Sequence, residues 1–303
     1  MKEEIIAVNH IREYDEMVGA ETLHPLVNVV DFSRLPPMRG IAPKRMFGYY
    51  AIYLKGRKFS EMNYGRSIYD YEEGALVFCA PGQVAGAEDD GVARQFTTRV
   101  LMFHPDLLRG TYLRPLIGQY TFFSYNINEA LFPTKEEREV IIDCFEKIEK
   151  ELRSFDADSL PIIIDYIKLI LDYSARYYRR QFTDGKFRNQ DMLAKLEQLL
   201  HEYFSSEMPL KQGVPTVTYC ADRLCLSTNY FNDIVKEATG MSALKMIHRK
   251  MLGVAKEKLC DSSKRVNEVA QEMGFQQPQN FTNWFKKMEN CTPLQYQKDI
   301  MKL

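Results

Sequence analysis

The last 90 residues contain an imperfect duplication, and it narrows the folds open to the chain more than any other feature. Residues 216–244 (TVTYCADRLCLSTNYFNDIVKEATGMSAL) align with 265–294 (RVNEVAQEMGFQQPQNFTNWFKKMENCTPL). Phe231, Lys236 and Leu244 return fifty residues later as Phe281, Lys286 and Leu294, and Ser242 returns as Thr292. Ala221 returns as Ala270 at an offset of 49, so the second copy has one extra residue in its turn.

Each copy reads as helix, sharp turn, helix. In the first, Val217, Ala221 and Leu224 form an apolar stripe, and the helix breaks at Leu226-Ser227. Ser227 suits the N-cap of the next helix. That helix is expected to bury Phe231, Ile234 and Val235, to turn Asn229, Asn232, Asp233 and Lys236 outward, and to end at a left-handed Gly240. In the second copy the stripe is Val266, Val269, Ala270 and Met273, and Gly274 makes the turn. The following helix buries Phe281, Phe285 and Met288 and exposes Gln279, Asn280, Asn283 and Lys287. Asn290 takes the place of Gly240, and Pro293 after Thr292 suits a first helical position. One helix over about 242–260, with Ile247, Met251, Val254, Ala255 and Leu259 on one side, joins the copies.

This is the pattern of two helix-turn-helix units on a rigid connector. In such units the second helix enters the DNA major groove. Asn and Gln on its exposed face pair with adenine, and Thr touches the thymine methyl. Held in one chain, the two units suit two successive turns of one DNA face.

Upstream the chain changes character twice. Runs at 25–32, 46–55, 75–81 and 96–104 are rich in Val, Ile, Tyr and Phe and are separated by Pro/Gly clusters. They predict a small antiparallel β-domain, a sandwich or barrel over about 22–105. A turn is expected at 70–74. Two amphipathic helices follow within 134–180. Thr134 and Glu137 form a capping box ahead of Ile141, Phe145, Ile148 and Leu152. Leu160, Ile164, Ile167 and Leu171 repeat the stripe, and these helices either cover the sheet or pair with a second copy. The polar stretch 181–190 reads as a hinge, and 191–204 as another helix before a Pro/Gly-containing loop.

The C-terminal blocks resemble the AraC family of bacterial transcription regulators. The resemblance lies in ADxLxLSxxYF (221–231), KExTG (236–240), AKxxL (255–259), VxxVAxxxGF (266–275), NFxxxFKK (280–287) and TPxxY (292–296). It implies a sequence-specific regulator that binds double-stranded promoter DNA, engages RNA polymerase and acts as a homodimer, most often as an activator. It also implies that Asn229, Asn232 and Asp233 face base or backbone in the first recognition helix, and Gln279, Asn280, Thr282 and Asn283 in the second. Lys236, Lys286 and Lys287 would meet phosphate. Asp233 and Asn283 stand where the family often carries Arg, and Asn290 where it carries Gly. Pro278 falls at the start of the second recognition helix, where it is tolerated.

The N-terminal half more loosely resembles the cupin-like sensor domains joined to such regulators, through His24-Pro25, EGxLxFxxPGQ (73–83) and FHPDLL (103–108). The implied fold is α+β in two domains. A cupin-like antiparallel barrel and its helices (1–185) sense a small-molecule effector and dimerise, and an all-α domain (191–303) carries the two helix-turn-helix motifs.

Within the barrel Tyr49, Tyr53, Phe78 and Phe103 are candidate ligand-lining residues, with Tyr50 beside them. Arg45, Arg57, Arg66 or Arg99 would meet an anionic ligand. His24 and His104 lie eighty residues apart and outside metal spacing, so no metal or other cofactor is expected. His104 suits a helix cap. No nucleophile motif, P-loop or dinucleotide fingerprint is present, so an enzyme is not expected. The alternative is a DNA-repair enzyme with the same reader, whose nucleophile would be Cys79 or Cys144 in apolar contexts. The six cysteines are scattered, and no run approaches a membrane span. With an acidic start in place of a signal peptide, a cytoplasmic protein is expected.

The net charge of −1 conceals an asymmetry. Residues 213–303 hold 13 Lys/Arg against 9 Asp/Glu, a balance of +4, and the rest balances at −5. The basic share lies where a polyanion is to be bound.

Overall fold

The computed structural model describes residues 6–39, 45–56, 74–85, 91–126, 129–184, 186–261 and 263–300, and for 184 and 186–190 the backbone alone. The chain divides into two units, 1–181 and 182–303. Arg57, Arg66 and, apart from Gly74, the turn expected at 70–74 lie outside the described residues.

The first unit runs β1 (Ile6–Val8), α1 (Ile11–Val18), β2 (Val27–Asp31), β3 (Arg45–Phe47), β4 (Tyr50–Lys55), β5 (Ala75–Cys79), β6 (Val84–Ala85), β7 (Arg99–Phe103), α2 (Lys135–Arg153) and α3 (Ser159–Asp184). Four strands form an antiparallel sheet in the order β2-β7-β4-β5, and three form a smaller sheet in the order β1-β3-β6. The run expected as one strand over 46–55 serves both sheets. It breaks at Gly48, whose N–H donates to Val8 O at 2.9 Å. A Cβ at Gly48 would lie 3.0 Å from the Asn9 Cα, so a residue without a side chain makes the crossing.

The pairing of β1 with β3 is parallel, which corrects the all-antiparallel expectation. β1 lies ahead of the stretch 22–105, and α1 and β2 supply the crossover that a parallel pair requires. Val8 and Phe47 of the smaller sheet meet Val30, Ala51, Val77 and Met102 of the larger in one apolar core. α1 adds Ile11, Tyr14 and Val18. Its buried Asp15 accepts from Thr22 Oγ1 at 2.7 Å and Asn28 Nδ2 at 2.8 Å, which ties the helix to β2.

α2 begins as its sequence predicts. Thr134 N–H donates to Glu137 Oε2 at 2.9 Å, and Glu137 N–H donates back to Thr134 Oγ1 at 3.3 Å. The helix buries Ile141, Cys144, Phe145, Ile148 and Leu152, and α3 buries Ile163, Ile164, Ile167, Ile170 and Leu171. Arg180 of α3 donates to Glu137 at 2.8 Å and to Phe132 O at 2.8 Å.

The polar stretch 181–190 is helical on both sides of residue 185, since α3 runs to Asp184 and α4 (Lys186–Phe204) starts two residues later. Polarity alone does not stop a helix. The second unit continues with α5 (Met208–Gln212), α6 (Val217–Arg223), α7 (Thr228–Thr239), α8 (Ala243–Leu259), α9 (Val266–Glu272), α10 (Pro278–Glu289) and α11 (Pro293–Ile300). α5 lies within the stretch expected as loop and packs against α9. The core is drawn from every longer helix: Leu196, Leu200, Phe231, Val235, Ile247, Met251, Val269, Phe281 and Phe285 are buried. No helix among the described residues is long and apolar enough to cross a membrane.

Candidate nucleic-acid interface

The two copies of the repeat turn in the same way with different residues. Cys225 and Gly274 each take a left-handed conformation, with φ of 58° and 86°. The next residue then donates back across the helix end, Leu226 N to Ala221 O at 2.9 Å and Phe275 N to Ala270 O at 3.0 Å. This is the bond pattern of a Schellman-type helix end. The first turn is therefore made at Cys225, one residue ahead of the expected break. A cysteine gives no sequence signal for positive φ. The extra residue of the second copy lies beyond the left-handed one, before α10.

α7 is capped by Ser227, whose Oγ accepts from Tyr230 N at 3.3 Å, and ends at Gly240 with φ of 71°. α10 has Pro278 in its first turn and ends at Asn290 with φ of 61°. Phe231, Ile234 and Val235 form the buried face of α7, and Phe281 and Phe285 that of α10, with Met288 half-buried. Around α10 the rings of Phe275, Phe281, Trp284 and Phe285 pack in a tilted and edge-to-face cluster with centroids 5.4 to 6.4 Å apart. Such a cluster gives the helix a rigid backing.

The candidate readers separate into two groups. Asn229, Lys236, Gln279, Asn280, Asn283, Lys286 and Lys287 are exposed. Asn232 and Thr282, which hold equivalent positions, are half-buried and have their polar atoms bonded within the unit. Asn232 is half-buried, and its Oδ1 accepts from Ala243 N at 3.1 Å, so it helps cap α8 and does not face outward. The Thr282 hydroxyl donates to Pro278 O at 3.1 Å within its own helix. Asp233 is half-buried where full exposure was expected. The reason is common to these corrections: at 100° per residue, positions 232 and 282 fall on the flank of the helix.

Several cations of this unit are held by carboxylates. Lys256 meets Glu289 at 2.6 Å, and Lys258 and Lys264 meet Glu272 at 2.6 and 2.7 Å. Among the described residues Lys236, Lys286 and Lys287 have no such partner, and neither do the exposed Arg223, Lys245 and Arg249. These last three lie outside the recognition helices, which is why a reading confined to those helices passed over them. His248 of α8 stands edge-on to Trp284 at 6.0 Å. Burial, followed by the charge of Lys287, lowers its pKa and favours the neutral ring.

In the first unit the four candidate ligand-lining residues do not share a surface. Register pairs Tyr53 with Val77 and Val100, and Phe78 with Ile52. Residues directly opposite share a face, so Tyr49 and Tyr53 point into the core between the sheets while Phe78 and Phe103 point away. Phe78 packs on Phe122, Phe123 and Tyr178, and Phe103 stacks on Tyr50 at 5.0 Å. The two phenylalanines are core. On the inner face Tyr53 hydrogen-bonds Tyr14, and the buried Tyr49 hydroxyl has no hydrogen-bond partner among the described residues. Burial lowers Lys55 on the same strand to about 8 and raises Cys79 to about 11.

The other polar candidates are engaged locally. Arg99 pairs with Asp31 at 3.0 Å and Glu146 at 2.9 Å. His24 Nδ1 accepts from Leu26 N, and His104 Nδ1 accepts from Asp106 N, each at 3.2 Å. The described residues contain no cluster of three or more His, Cys, Asp or Glu able to hold a metal. Burial also raises Cys144 to about 11 and Cys220 to about 12, so both are thiols at neutral pH.

Comparison with known proteins places the reader in context. A family model described as a helix-turn-helix domain matches residues 220–299. An HTH-type transcriptional regulator of Bacillus subtilis, YtdP, is 27% identical over 116 residues, 38% of this chain and 14% of that protein. The chain thus aligns with about one seventh of its curated relative. The C-terminal domain of the two-component response regulator yesN from Fusobacterium nucleatum is 22% identical, with a TM-score of 0.31 over 35% of this chain and 98% of that one. ToxT from Vibrio cholerae, solved with an unsaturated fatty acid bound, is 13% identical, with a TM-score of 0.29 over 90% of this chain and 93% of that one. At those TM-scores neither superposition carries weight here. The family match and the paired turns fall on the same residues: 220–299 match a helix-turn-helix domain, and both left-handed turns lie within them.

Proposed function

We propose that the chain is a transcription regulator that binds duplex DNA in a sequence-dependent way through its second unit. The observation that carries the reading is the repeated turn, the same main-chain bond at Ala221 and Ala270, each followed by a helix with an exposed polar face. Asn229, Lys236, Gln279, Asn280, Asn283, Lys286 and Lys287 are the proposed DNA-facing residues. Lysines without carboxylate partners release counterions when they meet phosphate.

The first unit is the proposed sensor, a cupin-like domain with its effector held between the two sheets. The buried Tyr49 hydroxyl, without a partner among the described residues, supports that placement, since an unsatisfied buried donor costs about 1–3 kcal/mol. Tyr49 and Tyr53 then remain as candidate contacts, and Tyr14 joins them. The repair-enzyme alternative is disfavoured because Cys79 and Cys144 are protonated thiols, poor nucleophiles at neutral pH. A cytoplasmic location, pairing of two copies and engagement of RNA polymerase belong to the same proposal.

The test is selective retention of fragmented genomic DNA from the source bacterium by the full chain. A small set of fragments is expected to survive excess unrelated competitor. Retention that competitor removes uniformly would overturn the reading.

A further inference from the structure

At an offset of fifty the two recognition helices can be compared position by position: Asn229 with Gln279, Tyr230 with Asn280, Asp233 with Asn283, Lys236 with Lys286 and Glu237 with Lys287. The exposed face of α10 is amide at three of these positions and lysine at two. Its one carboxylate, Glu289, is turned to Lys256 at 2.6 Å. α7 differs in kind at three of the five, keeping only the amide at 229 and the lysine at 236. Tyr230 packs edge-on against Phe182 at 5.3 Å, and Glu237 accepts from the Thr183 hydroxyl at 3.2 Å. Asn232 is committed to the start of α8. Asn229 is then the one fully exposed amide of α7, and Lys236 stands among two acids, Asp233 and Glu237.

We propose that the two units are unequal on DNA: α10 reads a block of A·T pairs through Gln279, Asn280 and Asn283, while α7 approaches the duplex less closely and selects few bases. The inference rests on the DNA-binding function proposed above and names the class of sequence recognised. The chemistry is direct. An amide pairs with the N6 and N7 edge of adenine, whereas the bidentate partner of guanine is Arg or Lys. α10 carries no Arg, and its two lysines lie in the last turn of the helix, beyond the amides. In α7 the exposed carboxylate Glu237 opposes the phosphates that a reading helix must approach.

Selection from random-sequence duplex by the full chain tests this. The expected product is one informative block, rich in A·T. Asn283→Ala and Asn280→Ala should each cost about tenfold or more in discrimination at one base pair, the scale of a bidentate contact. Both side chains are exposed, so an unchanged thermal melt is the control for folding. Asn283→Arg should move the preference at its base pair towards G·C. Glu237→Gln should leave the selected sequence as it is and shift binding of unrelated duplex to lower protein concentration at low salt. Two equally informative blocks one helical turn apart, or a block centred on G·C, would overturn the inequality. No enrichment of any sequence would overturn the DNA-binding reading and this inference with it.

Discussion

Cys225 and Gly274 occupy equivalent places in the repeat, yet they carry different costs. The left-handed conformation costs an ordinary residue about 1–2 kcal/mol, and Gly274 avoids that cost while Cys225 bears it. Gly274 is fixed for a second reason: a Cβ there would lie 2.5 Å from the carbonyl carbon and oxygen of Gly213. At Gly240, also left-handed, a Cβ would meet nothing within 4 Å. Gly240→Ala should therefore lose about 1–2 kcal/mol of stability for conformation alone. Gly274→Ala should lose clearly more, because two backbones must also separate. Denaturant unfolding of both variants measures the difference, and equal losses would show that the Gly213 contact is easily displaced. Gly240, Asn290 and Gly274 are readable in the sequence because their residue types favour positive φ. Cys225 is not, since there the surrounding bonds impose the conformation on an unfavourable side chain.

Between helices, capping decides how α7 meets α8. Ser242 Oγ accepts from Lys245 N at 3.3 Å, while Asn232 reaches across from α7 to accept from Ala243 N. Two of the unsatisfied donors at the start of α8 are thus met by side chains on two different elements. Asn232→Ala should cost about 1 kcal/mol in thermal or denaturant unfolding, typical of a lost cap. Asn232→Asp keeps the accepting oxygen and should recover most of that loss. Failure of Asp to recover it would point to packing of the amide as the important term. Local caps such as Thr134, Ser227, Ser242 and Thr292 were legible because donor and acceptor lie three residues apart. The Asn232 bond spans 11 residues and depends on the crossing of two helices, so spacing alone does not reveal it. The same limit applies in the β-domain. Strand content was legible from Val, Ile, Tyr and Phe, but the division of 46–55 between two sheets depends on the approach of Asn9 to Gly48. Face assignment suffered likewise: aromatic type marked Phe78 and Phe103 as candidates, and only register puts them on the other face of the sheet from Tyr49 and Tyr53.

For the molecule as a whole, one apolar surface of α3 is partly exposed among the described residues. Ile162 and Leu169 are 39% and 40% exposed, and the half-buried Tyr166 and Tyr173 complete a stripe at spacings of 4, 3 and 4 residues. An apolar helical stripe of that period is suited to a second helix. Pairing of two copies through it is the expected use, and Leu169→Glu should convert a dimer to a monomer in sedimentation velocity. Identical sedimentation of the two proteins would place any self-association elsewhere. Two copies would also bring two basic readers to one DNA, which compensates for a balance of only +4 over residues 213–303. The contact of Gly213 with Gly274 has a consequence of another kind. It brings the α5–α6 connection against the second turn by main chain alone, so Gly274 cannot gain a side chain without parting the two, while Gly213 is held to glycine by its φ of 81°. The amides at 279, 280 and 283 take no part in that joint. A lineage of such proteins can change its target by single codon substitutions while inheriting the mounting of the reader unaltered.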